Sequence, residues 1–147
     1  MERLVLEKQL LSEDETVAFG VELAPRLRPG DIVKITGSLG AGKTTLVRGI
    51  VKGLGGDPEQ VHSPTFALVH HYCGKKSEII HCDFYRLPNS SDLEDFGGLE
   101  FFESDSIFLI EWPERIGLFQ STIPNRLLLV DLQADAHGRT LRLSGAW

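Results

Sequence analysis

Positive charge is scarce in this chain: 15 Lys and Arg stand against 21 Asp and Glu, for a formal net charge of -6. A broad nucleic-acid footprint needs clustered Lys and Arg to neutralise phosphates, so the balance argues against one, and any RNA is expected to be held by a partner. Cysteine is scarcer still. Cys73 and Cys82 alone cannot make a disulfide framework, and two free thiols in a reducing compartment are expected. His70, His71 and His81 lie close to both cysteines in the sequence. No pair among them has finger-type spacing, however, and adjacent strand residues point to opposite faces, which argues against zinc. No apolar run approaches the ~20 residues of a membrane span, and the amino-terminal residues lack the order of a secretory leader. A cytoplasmic location with no membrane contact is the expectation. Repeats, low-complexity stretches and long linkers are missing too, so the 147 residues are read as a single domain spanning 1–147.

What is present is a regular alternation of helix and strand signals. Ser12 and Glu15 have the spacing of a capping box, predicting a helix from there toward Ala24, where Pro25 interferes. Asp31 to Gly37, "DIVKITG", is a β-branched run closed by glycine. Leu46, Val47, Ile50, Val51 and Leu54 then recur at helical spacing. "FALVHHY" and "EIIHCDF" predict a hairpin around Gly74. Ser91 and Glu94 repeat the capping-box form and predict a helix toward Phe102, weakened by Gly97 and Gly98. "IFLIEW", Ile107 to Trp112, is apolar until its end, as a strand buried on both faces of a parallel sheet should be. "RLLLVDL" and "RTLRLSG" predict a closing hairpin. The sum is an α/β domain with a mixed sheet, flanking helices and a C-terminal β-hairpin.

Chemistry enters at "GSLGAGKTTLVRG". Gly37, Gly42, Lys43 and Thr44 fill every fixed position of G-x-x-x-x-G-K-[ST], with Gly40 as a third glycine. In such a loop, backbone N–H groups converge on phosphates, and side chains at the glycines would block the approach. Lys43 is expected to reach the β- and γ-phosphates of a nucleotide and Thr44 to take Mg²⁺. The preceding strand and following amphipathic helix supply the context that the motif requires.

A magnesium nucleotide site also needs a carboxylate at the end of a buried strand. Asp83 and Glu111 both end strand-like runs. The run before Glu111 is the more continuously apolar, so Glu111 is read as the metal ligand beside the loop strand, with Asp83 orienting water or binding a water of the metal shell. In "HSPTF", Pro64 biases Ser63 toward extended geometry. Ser63 and Thr65 then either face the γ-phosphate as a switch or form an ordinary Ser-Pro turn. Asp95 to Gly98 imitates kinase and GTPase motifs, but no companion catalytic loop or guanine reader accompanies it.

Taken in order, "GSLGAGKTTLVRG", "SPTF", "HCDFYRL" and "EWPERI" resemble the TsaE family over nearly the whole chain. That resemblance implies a P-loop ATPase serving threonylcarbamoyladenosine formation on tRNA, with TsaD and TsaB subunits as partners and tRNA met only indirectly. It implies that Gly40, Ala41, Gly42, Lys43, Thr44 and Thr45 hold the phosphates of ATP. It further implies that Thr44 and Glu111 take Mg²⁺ and that Asp83 lies at the reacting end. Glu13 and Thr16, in the "SEDET" segment, correspond to a family motif near the adenine. Trp112 and Tyr85 correspond to positions that frame the site or a partner surface. Ser38 departs from the family, which often carries an acidic residue there.

No arginine finger is evident, though Arg48, Arg86 and Arg115 are candidates for local charge, Arg86 foremost for its nearness to Asp83. Slow intrinsic ATP turnover that depends on the partner complex is the expectation. A nucleotide-dependent binding switch and a small-molecule kinase are the rival readings.

Overall fold

Ile32, Val33, Ile35 and Thr36 are β-branched and favour extended backbone, and they build the strand on which the rest is arranged. The computed structural model describes residues 3–62, 68–87, 93–117 and 123–145. Its seven-stranded sheet comprises β1 (Leu4–Leu10), β2 (Ile32–Gly37), β3 (Val69–Cys73), β4 (Glu78–Asp83), β5 (Ile107–Glu111), β6 (Leu127–Asp135) and β7 (Gly138–Gly145). In space the order is β1-β7-β6-β2-β5-β4-β3. β6, β2, β5 and β4 run parallel, whereas β7 pairs antiparallel with β6, β1 with β7 and β3 with β4.

Period-two alternation divides the apolar side chains between the two faces of the sheet. Val33, Ile35 and Leu109 join one buried cluster with Leu46, Val47 and Ile50, while Ile32, Phe108 and Ile110 join a second with Phe84 and Phe102. All five residues of β5 are buried, as its unbroken apolar run requires.

The first face is covered by α1 (Glu13–Leu23) and α2 (Lys43–Gly53). Ser12 caps α1 by accepting the Glu15 N–H at 3.1 Å, and the Glu15 carboxylate reaches back to the Leu11 N–H at 3.0 Å. A 3-10 turn through Pro25, Ala24–Arg26, ends the helix. The two helices touch backbone to backbone. A Cβ on Gly49 would stand 2.3 Å from the Val17 carbonyl oxygen, and one on Gly20 would stand 2.7 Å from the Ile50 nitrogen. Among the described residues no helix is long and apolar enough to cross a membrane.

One sequence expectation changes. The helix predicted from Ser91 toward Phe102 is instead, over its described part, two 3-10 segments, Leu93–Phe96 and Gly98–Phe102. Gly97 and Gly98 at φ +92° and +68° break it, since left-handed backbone cannot continue an α-helix. The expected C-terminal hairpin is present, with β6 and β7 paired antiparallel. It is inserted beside β2, and β1, which no sequence signal announces, takes the edge.

Candidate functional site

β2 ends at Gly37, and three glycines of the following loop have positive φ: Gly37 at +145°, Gly40 at +81° and Gly42 at +102°. At Gly37 a Cβ would come within 2.4 Å of the Leu132 carbonyl oxygen, so the close passage of β6 requires glycine there. The loop turns through an Ala41 N–H to Ser38 carbonyl bond of 3.0 Å and enters α2 with Gly42 as N-cap. Gly42, as a glycine, supplies no side-chain cap to this end of α2. Its first N–H groups, which have no intrahelical acceptors, together with the helix dipole, favour an anion.

Lys43 is nearly buried, and its Nζ donates to the carbonyl oxygens of Gly37 at 2.7 Å and Ser38 at 2.9 Å. It stands 4.4 Å above the centre of the Trp112 ring. Burial pushes its pKa below the ordinary lysine value, against the opposing pull of Glu111, Asp83 and Glu114. Trp112 has φ +58°, the only positive value outside glycine among the described residues.

Strand register delivers the carboxylates. Ile35 of β2 pairs with Glu111 of β5, and Glu111 pairs with Asp83 of β4. The expected neighbourhood of the Glu111 strand and the loop strand is therefore what the sheet has. Thr44 Oγ1 donates toward both oxygens of the buried Glu111 carboxylate, 3.2 Å from each. Asp83 Oδ1 accepts the Tyr85 N–H at 3.0 Å. Burial raises the Asp83 pKa, the Tyr85 bond lowers it, and Glu111 raises it further.

These groups share one cavity of about 680 Å³, whose wall includes Lys43, Thr44, Asp83, Glu111, Glu13 and Arg139. Its size suits a small-molecule ligand. A hydroxyl and a carboxylate lying together in its wall are hard oxygen donors of the kind Mg²⁺ accepts alongside several waters.

A family model described as Threonylcarbamoyl adenosine biosynthesis protein TsaE matches residues 10–141. The chain belongs to the TsaE family. It is 38% identical to the tRNA threonylcarbamoyladenosine biosynthesis protein TsaE of Rickettsia bellii over 133 residues, covering 90% of each chain. To the Aquifex aeolicus protein of the same name it is 40% identical over 113 residues, covering 76% of this chain and 80% of the other. In fold it is similar to the crystal structure of Bacillus subtilis YdiB, with a TM-score of 0.74 at 24% identity, over 100% of this chain and 88% of that one.

In this TsaE-family chain most of the residues singled out from sequence come together. Gly40, Gly42, Lys43, Thr44, Thr45, Asp83 and Glu111 line the cavity, and Glu13 and Thr16 form its wall on the α1 side. The Thr16 hydroxyl donates to the Ser12 carbonyl at 3.2 Å. Gly37 and the fully buried Ala41 shape the loop from behind. Ser63 and Thr65 lie outside the described residues. Tyr85 and Trp112 pack ring to ring at 5.0 Å, with the Arg115 guanidinium 5.9 Å and 5.8 Å from the two ring centres. Arg86 lines the cavity, whereas Arg48 donates to the Val61 carbonyl at 3.1 Å and is not among the lining residues.

Two residues of the site are given no role there by the sequence reading. Arg139 Nε donates to the Ala41 carbonyl at 2.8 Å and its Nη2 to the Gly40 carbonyl at 3.3 Å, tying β7 to a loop 98 residues away. His81 Nε2 lies 2.6 Å from Glu111 Oε2 with both side chains buried. A histidine two residues before a candidate carboxylate is a pointer only once the strand's neighbours are known.

Proposed function

We propose that this TsaE-family chain is a Mg²⁺-dependent ATPase, slow by itself, that supports threonylcarbamoyladenosine formation on tRNA together with TsaD and TsaB subunits. The observation that carries the reading is the meeting of Lys43, Thr44, Glu111 and Asp83 in one cavity at the N-terminus of α2. Family membership supports the pathway, and the chain's net acidity supports a role in which a partner holds the tRNA. ATP, its metal and tRNA are met together in the cytoplasm, which the same reading assigns to the protein.

The division of labour follows from the side chains. Loop N–H groups from Gly40 to Thr45 bind the phosphates, and Lys43 exchanges its bonds to the Gly37 and Ser38 carbonyls for phosphate oxygens. Thr44 and Glu111 would hold Mg²⁺, which when bound neutralises charge on the phosphate oxygens. Asp83, in register with Glu111, orients the attacking water. Glu13 and Thr16 border the end of the same cavity that this reading gives to the adenine.

ATP hydrolysis by the purified chain, measured alone and after adding TsaB and TsaD, tests the reading. Slow basal turnover that rises in the mixture, and tRNA modification that depends on ATP, are expected. Fast turnover indifferent to both subunits would overturn it.

A further inference from the structure

The face of the sheet beneath α2 carries a polar chain inside an apolar layer. His81 on β4 pairs with Leu109 on β5 and with His70 on β3, and its own side chain is fully buried. Ile79, Ile107 and Leu109, on the same face, belong to the buried cluster. An imidazole in such surroundings is costly unless its ring nitrogens are both engaged. Here they are: Nε2 meets Glu111 Oε2 at 2.6 Å, and Nδ1 meets the Tyr72 hydroxyl at 3.2 Å.

The donors and acceptors can be ordered. An ionised carboxylate only accepts, so Nε2 carries the proton that it gives to Glu111. In a neutral ring Nδ1 is then an acceptor, and the Tyr72 hydroxyl donates to it. Burial, with Glu111 adding to it, pushes the Tyr72 pKa up to about 12, so the phenol keeps this proton.

We infer that His81 is a positioning residue for Glu111, with Tyr72 fixing its tautomer, so that the carboxylate is held toward Thr44 in the orientation a divalent cation needs. The inference rests on the metal role proposed above for Thr44 and Glu111. Oε2 is tied to the ring, and both carboxylate oxygens then lie 3.2 Å from Thr44 Oγ1. Such outer partners set both the direction and the basicity of a metal-binding group, and losing one weakens metal affinity about 10–100-fold.

The test is Mn²⁺ binding to the ADP complex, read by electron paramagnetic resonance, beside ADP affinity in excess chelator read by calorimetry. For His81→Leu, Mn²⁺ affinity is expected to fall about 10–100-fold while ADP affinity in chelator stays within about 2-fold of the parent. His81→Gln, which returns an N–H near the Nε2 position, is expected to recover most of the loss. Tyr72→Phe removes one hydroxyl, keeps the ring's bulk, and is expected to give a loss of about 2–10-fold. That variant decides the matter if His81→Leu does not fold. Parental Mn²⁺ affinity in His81→Leu, or in Tyr72→Phe where the former is unfolded, overturns the inference. So does an equal loss of ADP affinity in chelator, which would mark a general packing defect. Glu111→Gln separates the two levels: if it too binds Mn²⁺ as the parent does, the metal role of Glu111 fails, whereas a loss there with none in His81→Leu removes only the inference.

Discussion

Asp83 and Glu111 are register partners on adjacent parallel strands, so two carboxylates end β4 and β5 side by side in the wall of one cavity. The arrangement costs stability. Burial raises the Asp83 carboxyl above its ordinary range, only partly offset by the Tyr85 N–H, and Glu111 raises it further.

A carboxyl with a raised folded pKa holds its proton more tightly folded than unfolded. Its ionised form therefore penalises the fold above that pKa, and the penalty fades as pH falls toward the unfolded carboxyl's ordinary value. Asp83→Asn keeps an acceptor for Tyr85 and removes the charge. It is expected to raise the melting temperature near neutral pH by about 2–4 °C, corresponding to roughly 1 kcal/mol, with the gain vanishing in acid. Thermal unfolding at both pH values checks it, and an equal gain at both contradicts it.

Lys43 and Asp83 are expected to fail in different ways. Lys43→Ala would remove the charge-assisted bonds proposed to phosphate and is expected to weaken ATP binding about 10–100-fold. Asp83→Ala leaves ATP affinity within about 3-fold and lowers turnover about 100-fold or more. Calorimetric titration beside phosphate release measures both. Full support of tRNA modification by Asp83→Ala, despite lost hydrolysis, would favour a binding switch instead.

The helix contact under the loop makes a purely structural prediction. Gly49→Ala places a Cβ against the Val17 backbone, where no flexible atom can yield, and should cost about 2–4 kcal/mol as α1 and α2 are forced apart. Denaturant unfolding reads this directly.

Arg139 bonds to the carbonyls of Gly40 and Ala41, on the side of the loop away from the N–H groups proposed to hold phosphate. Arg139→Ala is expected to weaken ATP and ADP alike, about 3–10-fold, because the γ-phosphate is not involved. Arg139→Lys, lacking the planar fork, should recover only part. A loss confined to ATP would point to a γ-phosphate contact instead.

Legibility in the sequence followed distance along the chain. The loop, its strand and its helix are consecutive, so glycine spacing and periodicity sufficed, and the unbroken apolar run before Glu111 carried its place beside β2. β1 was invisible because Leu4, Val5 and Leu6 are all exposed on an edge strand and show no alternation. Neither the insertion of β6 beside β2 nor the Arg139 tie leaves a local mark, since each depends on a partner about a hundred residues away. The capping-box spacing of Ser91 and Glu94 misled because Gly97 and Gly98 adopt left-handed backbone a few residues later.

The central claim is that the Thr44 hydroxyl and the Glu111 carboxylate serve one magnesium ion beside a loop-bound triphosphate. A crystal structure with Mg²⁺ and a non-hydrolysable ATP analogue tests it most directly. The expected result is a metal about 2.0–2.1 Å from Thr44 Oγ1, with Glu111 bound to it directly or through one water. A triphosphate seated in the loop with its metal remote from both residues would contradict the account.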